Sequence, residues 1–377
     1  MQKKLIALAI TAAISAPAFA DTTVYGLIDA GFGSVTNTPT KAGGANGVKT
    51  GESGIAFSQN QTSKVGVKST EDLSNGMKAT YLLEIGLSSN PASDAQFGKG
   101  SIGSSHSGFT PNATIGPDRF MAVDLNLGEG TDLWAGKVSS PLRGIVYGND
   151  AMYGANLVGN LVTMDSSLTA RAVAAAAVHN FGSVTASLAF LDDTVTTDGS
   201  ADQKFGNGFE ATAVYNQDAL SVSAGYRDLK LATNAVALVT AVPGNAGTAA
   251  AAATDIDNKV MILAANYNFG VAKVYGQYAS VQQNDSVANS TDKKTYETVG
   301  VNMPFTPVLA GYVQLGTGKH DTGTDSPKLS AYALGVKYDM SKSTWAYAHV
   351  GSAKQDNIAL VAGSKVDQYA LGLVHSF

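Results

Sequence analysis

The stretch "LSVSAGYR", Leu220 to Arg227, alternates strictly. Leu220, Val222, Ala224 and Tyr226 share one face, and Ser221, Ser223, Gly225 and Arg227 share the other. A period of two belongs to an extended strand, whose successive side chains point to opposite sides, and here one of those sides is wet. The pattern returns at Val184 to Phe190, where Val184, Ala186, Leu188 and Phe190 oppose Thr185, Ser187 and Ala189. It returns again at Tyr332 to Asp339, where Tyr332, Leu334, Val336 and Tyr338 oppose Ala333, Gly335, Lys337 and Asp339. From Asp21 onward this period dominates, which predicts an all-β protein.

The connections alternate in length. Tight turns are read at Asn75-Gly76, Gly128-Glu129-Gly130, Asn180-Phe181-Gly182, Asn216-Gln217-Asp218, Asn268-Phe269-Gly270, Pro304 to Pro307 and Ser341-Lys342. Between them lie long Gly, Ser, Asn, Asp and Ala-rich segments near 34–62, 88–117, 141–168, 192–207, 231–258, 283–294, 318–329 and 355–366. Seven short and eight long connections separate sixteen strands. Boundary shifts of roughly two to four residues also accommodate fourteen or eighteen. Short turns on one rim, long loops on the other and an even strand count describe an antiparallel barrel of the bacterial outer membrane. Sixteen strands enclose an aqueous channel, whereas about eight leave an interior that side chains fill.

The first twenty residues read as a removable secretory signal, with Lys3 and Lys4, an apolar run from Leu5 to Ile14, and Ala18-Phe19-Ala20 as the cleavage site. That leaves residues 21–377 as a single barrel domain. No later stretch approaches the roughly 20 apolar residues of a membrane helix. The chain holds 41 Gly, 10 Pro and no Cys, so neither disulfides nor thiolate metal sites stabilise it. Formal charge is −5, and −7 without Lys3 and Lys4, which argues against nucleic-acid binding. Mean hydropathy of +0.02 suits strands that present apolar side chains outward and polar ones inward.

A lysine facing lipid near mid-membrane costs roughly 2 to 4 kcal/mol, so Lys64 and Lys68, which share a face with Gly66, are placed toward the lumen. Lys78, Thr80, Leu82 and Glu84 follow the same logic opposite Tyr81, Leu83 and Ile85, and Lys137 is read onto the same wall. Tyr25 and Asp29 share a face of the first strand, and Asp150 and Asp165 are the obvious acids near 141–168. Arg119, Arg171 and Arg227 complete the candidate pore charges; only Arg227 has clear inward parity. Fixed cations facing acids across a narrow gap would set ion preference, and this balance predicts a mild anion preference at most. At the C-terminus Tyr369, Leu371, Leu373, His375 and Phe377 alternate down to a terminal aromatic carboxylate, a pattern suited to lipid contact and barrel assembly.

An enzyme is disfavoured. No Gly-x-Ser-x-Gly elbow is present, and His106, His179, His320, His349 and His375 have no His-Glu-x-x-His spacing. Gly311 to Lys319 lacks the ending of a phosphate loop. Neither Asp255-Asp257-Asn258 nor Asp193-Asp198-Asp202 has the calcium-loop pattern, so no metal or cofactor is expected. A barrel hydrolase and a sugar-selective channel remain the alternatives. The second would want an aromatic track, and inward aromatics look few apart from Tyr25.

Through nearly the whole of 21–377 the chain resembles the general diffusion porins of Gram-negative bacteria, in particular the β-proteobacterial and neisserial branch. The motifs are Val24-Tyr25-Gly26-Leu27-Ile28-Asp29, "SKVGVKSTEDLSNGMKATYLLEIG" from Ser63 to Gly86, "NYNFGVAKVYGQY" from Asn266 to Tyr278, "YALGVKYDMSKSTWAYAHVG" from Tyr332 to Gly351 and "YALGLVHSF" from Tyr369 to Phe377. The resemblance implies a sixteen-stranded outer-membrane barrel, a homotrimer, with the third long loop folded into each pore. Its implied partners are outer-membrane lipid and lipopolysaccharide, the barrel-assembly machinery, and small hydrophilic solutes and ions diffusing passively. Family members usually carry Arg at the position of Lys64 and Gly-Arg-Gln where this chain has Gly136-Lys137-Val138, so the planar guanidinium is lost at both.

Overall fold

The computed structural model describes residues 20–39, 50–57, 60–86, 120–155, 157–169, 171–192, 205–233, 254–323, 325–356 and 363–377. The signal read at 1–20 lies outside them except for Ala20. In chain order the strand segments are β1 (Ala20–Pro39), β2 (Thr50–Phe57), β3 (Lys64–Asp72), β4 (Lys78–Gly86), β5 (Phe120–Gly128) and β6 (Thr131–Ser139). They continue with β7 (Arg171–Asn180), β8 (Val184–Asp192), β9 (Phe205–Gln217), β10 (Leu220–Thr233), β11 (Thr254–Asn268) and β12 (Lys273–Asp285). The last are β13 (Ser290–Pro304), β14 (Leu309–Asp321), β15 (Lys328–Asp339), β16 (Thr344–Gln355) and β17 (Ser364–Ser376). Each pairs antiparallel with the next from β3 onward, and β1 pairs with β17, so the sheet closes on itself.

Seventeen segments occupy sixteen positions. Ala20–Leu27 of β1 pair with β3, and Ala30–Asn37 of the same strand pair with β2, so β2 and β3 are one interrupted strand. Asp29 sits at the junction. Its Oδ2 accepts from the Asn60 N–H at 2.5 Å and the Gln61 N–H at 2.7 Å, and its own N–H donates to Ser63 Oγ at 3.0 Å. The seam ends at the terminal residue, where Gly26 and Phe377 exchange both backbone hydrogen bonds at 2.9 and 3.1 Å.

All seven tight turns expected from the sequence separate paired strands. The segments expected as long loops near 283–294, 318–329 and 355–366 begin later and end earlier than their composition suggests. β12 and β13, for example, stay paired out to Asp285↔Ser290. Polar strand ends read as loop because these hairpins extend past the apolar belt into water, where neither face needs apolar side chains.

The outer face carries the alternation of a lipid-facing wall: Tyr332, Leu334, Val336 and Tyr338 are exposed, as are Tyr369, Leu371, Leu373 and Phe377. Exposed Phe181, Phe269 and Phe305 stand in the tight turns and, with Phe377, form an aromatic rim on that side. Among the described residues the α-helices lie within 141–169: α1 (Pro141–Gly148), α2 (Leu161–Met164) and α3 (Ser166–Thr169). No helix among the described residues is long and apolar enough to cross a membrane.

Leu371→Lys is expected to destabilise the barrel by about 2–4 kcal/mol through its lipid-facing position. Reversible urea unfolding in lipid vesicles measures this, and a change near zero would mean that Leu371 faces water.

Candidate functional site

Residues 140–169, the third long loop, fold into the barrel. Ser140 caps α1, its hydroxyl accepting from the Arg143 N–H at 3.2 Å, and Pro141 opens the helix with a fixed φ and no orphan donor. Leu142, Ile145, Val146, Val158, Leu161, Val162, Met164 and Leu168 bury against inward residues of the wall, including Val260, Ile262, Val281, Leu329 and Ala331. Ala151, Met152, Ala155 and Leu157 do the same against Tyr275, Tyr312, Ala333 and Tyr347.

A folded-in loop brings backbone donors and acceptors away from bulk water, and they need partners. Inward polar side chains supply them strand by strand. Glu210 Oε1 on β9 accepts from the Leu142 N–H at 2.6 Å. Gln277 on β12 donates to the Val146 carbonyl at 2.8 Å, and Asn302 on β13 to the Ala151 carbonyl at 3.2 Å. Gln314 on β14 accepts from the Ala151 N–H at 3.2 Å, and Gln368 on β17 from the Val158 N–H at 2.7 Å. His349 on β16 lies 2.9 Å from the Val158 carbonyl through Nε2, which carries the proton because a carbonyl only accepts. At Gly351 a Cβ would stand 2.0 Å from the Val158 carbonyl, so the contact requires glycine.

Arg227, expected as a pore charge from its inward parity, is inward but committed to this anchorage. Its Nε and Nη2 donate to Glu210 Oε2 at 2.9 and 2.7 Å, its Nη2 also to Ser140 Oγ at 2.9 Å, and its Nη1 to the Ser167 carbonyl at 2.7 Å. The expected loop acids are likewise structural, and this corrects the reading that they face the lysines across the gap. Asp150 accepts from the Met152 and Gly154 N–H groups at 3.3 and 3.1 Å and from Asn160 Nδ2 at 3.0 Å. Burial pushes its carboxyl up to about 6 against the opposing pull of those hydrogen bonds. Asp165 accepts from Tyr296 Oη at 2.5 Å and lies 4.0 Å from Lys294.

The remaining expected residues separate into groups. Lys64 pairs with Glu84 at 3.0 Å, Tyr25 Oη donates to Glu84 at 3.1 Å, and the Lys64 ammonium lies 5.9 Å from the Tyr25 ring centre. Asp29 is fully buried and also accepts from Tyr347 Oη at 3.0 Å. Lys78 has the inward parity expected but sits beside the tight turn, paired with Asp72 at 3.0 Å, away from the loop. Lys137 stands in register opposite Met121, whose side chain is 61% exposed on the outer face. Strict alternation turns it toward the outer face, and the register runs through Gly136, at φ +131°, without a shift. Arg171 pairs in register with Ser139, and Arg119 lies outside the described residues.

Lys68 opens into a lumen cavity of about 720 Å³ between α1 and the wall from β3 to β11. Thr80, Leu82, Asp124, Trp134, Ile145, Val178 and Val214 line it too. Asp124 and Trp134 were missed, although Met121, Val123 and Leu125 alternating with Ala122, Asp124 and Asn126 carried the signal. Arg143 was missed as well; on α1 it lies 4.4 Å over the Tyr147 ring. The expectation of few inward aromatics is corrected: Tyr275, Tyr296, Tyr312 and Tyr347 all face inward. The loop covers them, so they form no open track. Among the described residues no group of three or more His, Asp or Glu is placed to hold a metal.

Arg227→Met is expected to cost about 3–5 kcal/mol by stranding buried Glu210, and to open the chain at Arg143 to trypsin. The double change with Glu210→Gln should recover most of that loss; unfolding midpoints and the cleavage site read both. Asp150 holds its proton to about 6 in the folded protein against an ordinary 3.8. The folded state therefore binds more protons between those values, and this group's stabilisation is full below the lower one and lost as pH rises through the upper. Asp150→Asn should flatten the decline in urea stability between about pH 4 and pH 7. A wild-type curve flat over that range would contradict the assignment.

A family model described as Gram-negative porin matches residues 7–358. Outer membrane porin protein 32 of Delftia acidovorans is 27% identical over 375 residues, covering 99% of this chain and 95% of that one. The fold matches an anion-selective porin from Comamonas acidovorans with a TM-score of 0.66 at 22% identity, over 95% of this chain and 100% of that one. It also matches OmpT of Vibrio cholerae in its trimer form, TM-score 0.60 at 14% identity, over 95% and 99%.

Proposed function

The chain belongs to the Gram-negative porins, outer-membrane channels rather than enzymes, and from that premise we propose how its own lumen works. Small hydrophilic solutes and ions diffuse through the space left between the folded-in loop and the β3–β11 wall. The observation that carries this reading is the cavity of about 720 Å³ beside α1, walled by polar and small side chains and by Lys68. Three such barrels form a homotrimer embedded in outer-membrane lipid and lipopolysaccharide, as the trimeric form of the Vibrio cholerae protein supports. Residues 1–20 act as the export signal. Tyr369, Leu371, Leu373 and Phe377 present the strand that the barrel-assembly machinery reads, in keeping with their outward alternation and with the seam that Phe377 completes.

Selectivity is weak and tilted toward anions. Glu84 neutralises Lys64, Arg227 is neutralised by Glu210, and Asp150 and Asp165 are occupied within the loop. Lys68 is left in the cavity with Asp124, and Asp132 stands near them. A Debye length of about 8 Å at physiological salt limits such charges to the narrow part of the lane.

Purified protein in planar bilayers should give stepwise openings in groups of three. A KCl gradient should give a small reversal potential of the anion-selective sign, which Lys68→Gln shifts toward cations. A folded barrel that passes no current would overturn the channel reading, and a strong cation preference would overturn the selectivity alone.

A further inference from the structure

The lumen carboxylates are almost all engaged. Asp29 receives two backbone N–H groups and Tyr347, Glu84 receives Lys64 and Tyr25, and Glu210 receives Arg227 and a loop N–H. Asp124 differs in that, among the described residues, no cation lies within ion-pair distance of it; its Oδ1 is buried with no hydrogen-bond partner, as Glu84 Oε1 also is. Lys68 is exposed to the same cavity and is likewise unpaired among the described residues. The two are close neighbours on the wall. Lys68 lies opposite Leu82 and Asp124 opposite Thr80, so only β4 separates them. Two strand spacings of about 4.8 Å and a two-residue offset of about 7 Å put their Cα atoms roughly 12 Å apart, a gap the long lysine side chain narrows.

The surroundings of this couple are mixed: Thr80, Ser139, Ser187 and Ser221 line the cavity and Asp132 is a second carboxylate near Asp124, but an apolar patch lies between them. Trp134 is directly opposite Asp124 in the register, and Leu82, Ile145, Val178 and Val214 line the same space. An indole ring beside a carboxylate favours an ammonium group, by charge and by the ring's negative face. A dicarboxylate would set one of its charges against Asp124. A sugar would desolvate both charges without neutralising either.

We propose that this part of the lane is a weak subsite for zwitterionic solutes with an apolar side chain, namely apolar α-amino acids and their short peptides. The ammonium group meets Asp124 beside Trp134, the carboxylate meets Lys68, and the side chain lies on the apolar floor. The proposal rests on the channel reading above and deepens it by naming a solute class.

The test is osmotic swelling of liposomes carrying the folded full-length barrel, with leucine and arabinose as solutes of similar size. Leucine should enter about threefold faster than arabinose, less than the roughly tenfold lower end of what a focused field does for a charged solute, because a zwitterion carries no net charge. Asp124→Asn and Trp134→Ala should each bring the ratio down toward one. Arabinose entry in the same vesicles reports whether each variant has inserted and is open. No swelling with either solute from the unaltered barrel overturns the channel reading and this proposal with it. Arabinose entry with a leucine ratio near one, or a ratio that Asp124→Asn leaves unchanged, overturns the subsite alone. A ratio lost in Lys68→Gln but kept in Asp124→Asn would mark an anion site and overturn the zwitterion assignment.

Discussion

In hydrocarbon no water is present to take up an unpaired backbone N–H or C=O, and this chain answers that constraint by closing its sheet. The β1–β17 pairing, running from Leu27↔Ser376 to Pro39↔Ser364, is the longest-range contact in the molecule and the one without which every other strand would leave two bare edges. Strand number follows from closure, interior width follows from strand number, and the width leaves room for a loop and a lane side by side. Even the interruption between β2 and β3 obeys the same demand, because the Asp29 carboxylate takes the backbone donors that the break releases.

The constraint is then repeated indoors. The loop that enters the barrel carries its own polar backbone, and β9, β12, β13, β14, β16 and β17 each contribute an inward side chain that binds it. Apolar packing supplies the cohesion, and these bonds fix the register of loop against wall. The buried Arg227–Glu210 pair belongs to this group, since its guanidinium reaches both ends of the loop, at Ser140 and Ser167. Inward charges in such a barrel thus divide into those that hold the loop and those that meet solute.

Much of the frame was legible because its cause is local. Alternation, tight-turn residues and the terminal "YALGLVHSF" each reflect one strand or one hairpin, and all are found where the sequence put them. What was missed depends on a second layer that alternation does not encode. Val260 and Ile262 face inward while Met261 and Leu263 face outward, an apolar run that signals a strand covered on both sides. The inward tyrosines escaped for the same reason, and Asp150 and Asp165 were read as pore charges because parity says nothing of which loop backbone a carboxylate binds.

The loop is anchored to β9, β12–β14, β16 and β17 and leaves bare the part of the β3–β11 wall that lines the cavity. The interior is therefore divided into two sectors with separate duties. A change on the bare sector acts directly on whatever is passing. A change on the covered sector acts on the partition, and reaches the passing solute only by moving it. Such a lumen can drift in selectivity through residues like those around Lys68 without disturbing its scaffold, and can change calibre through residues like those around Gly351 without altering the chemistry of its surface.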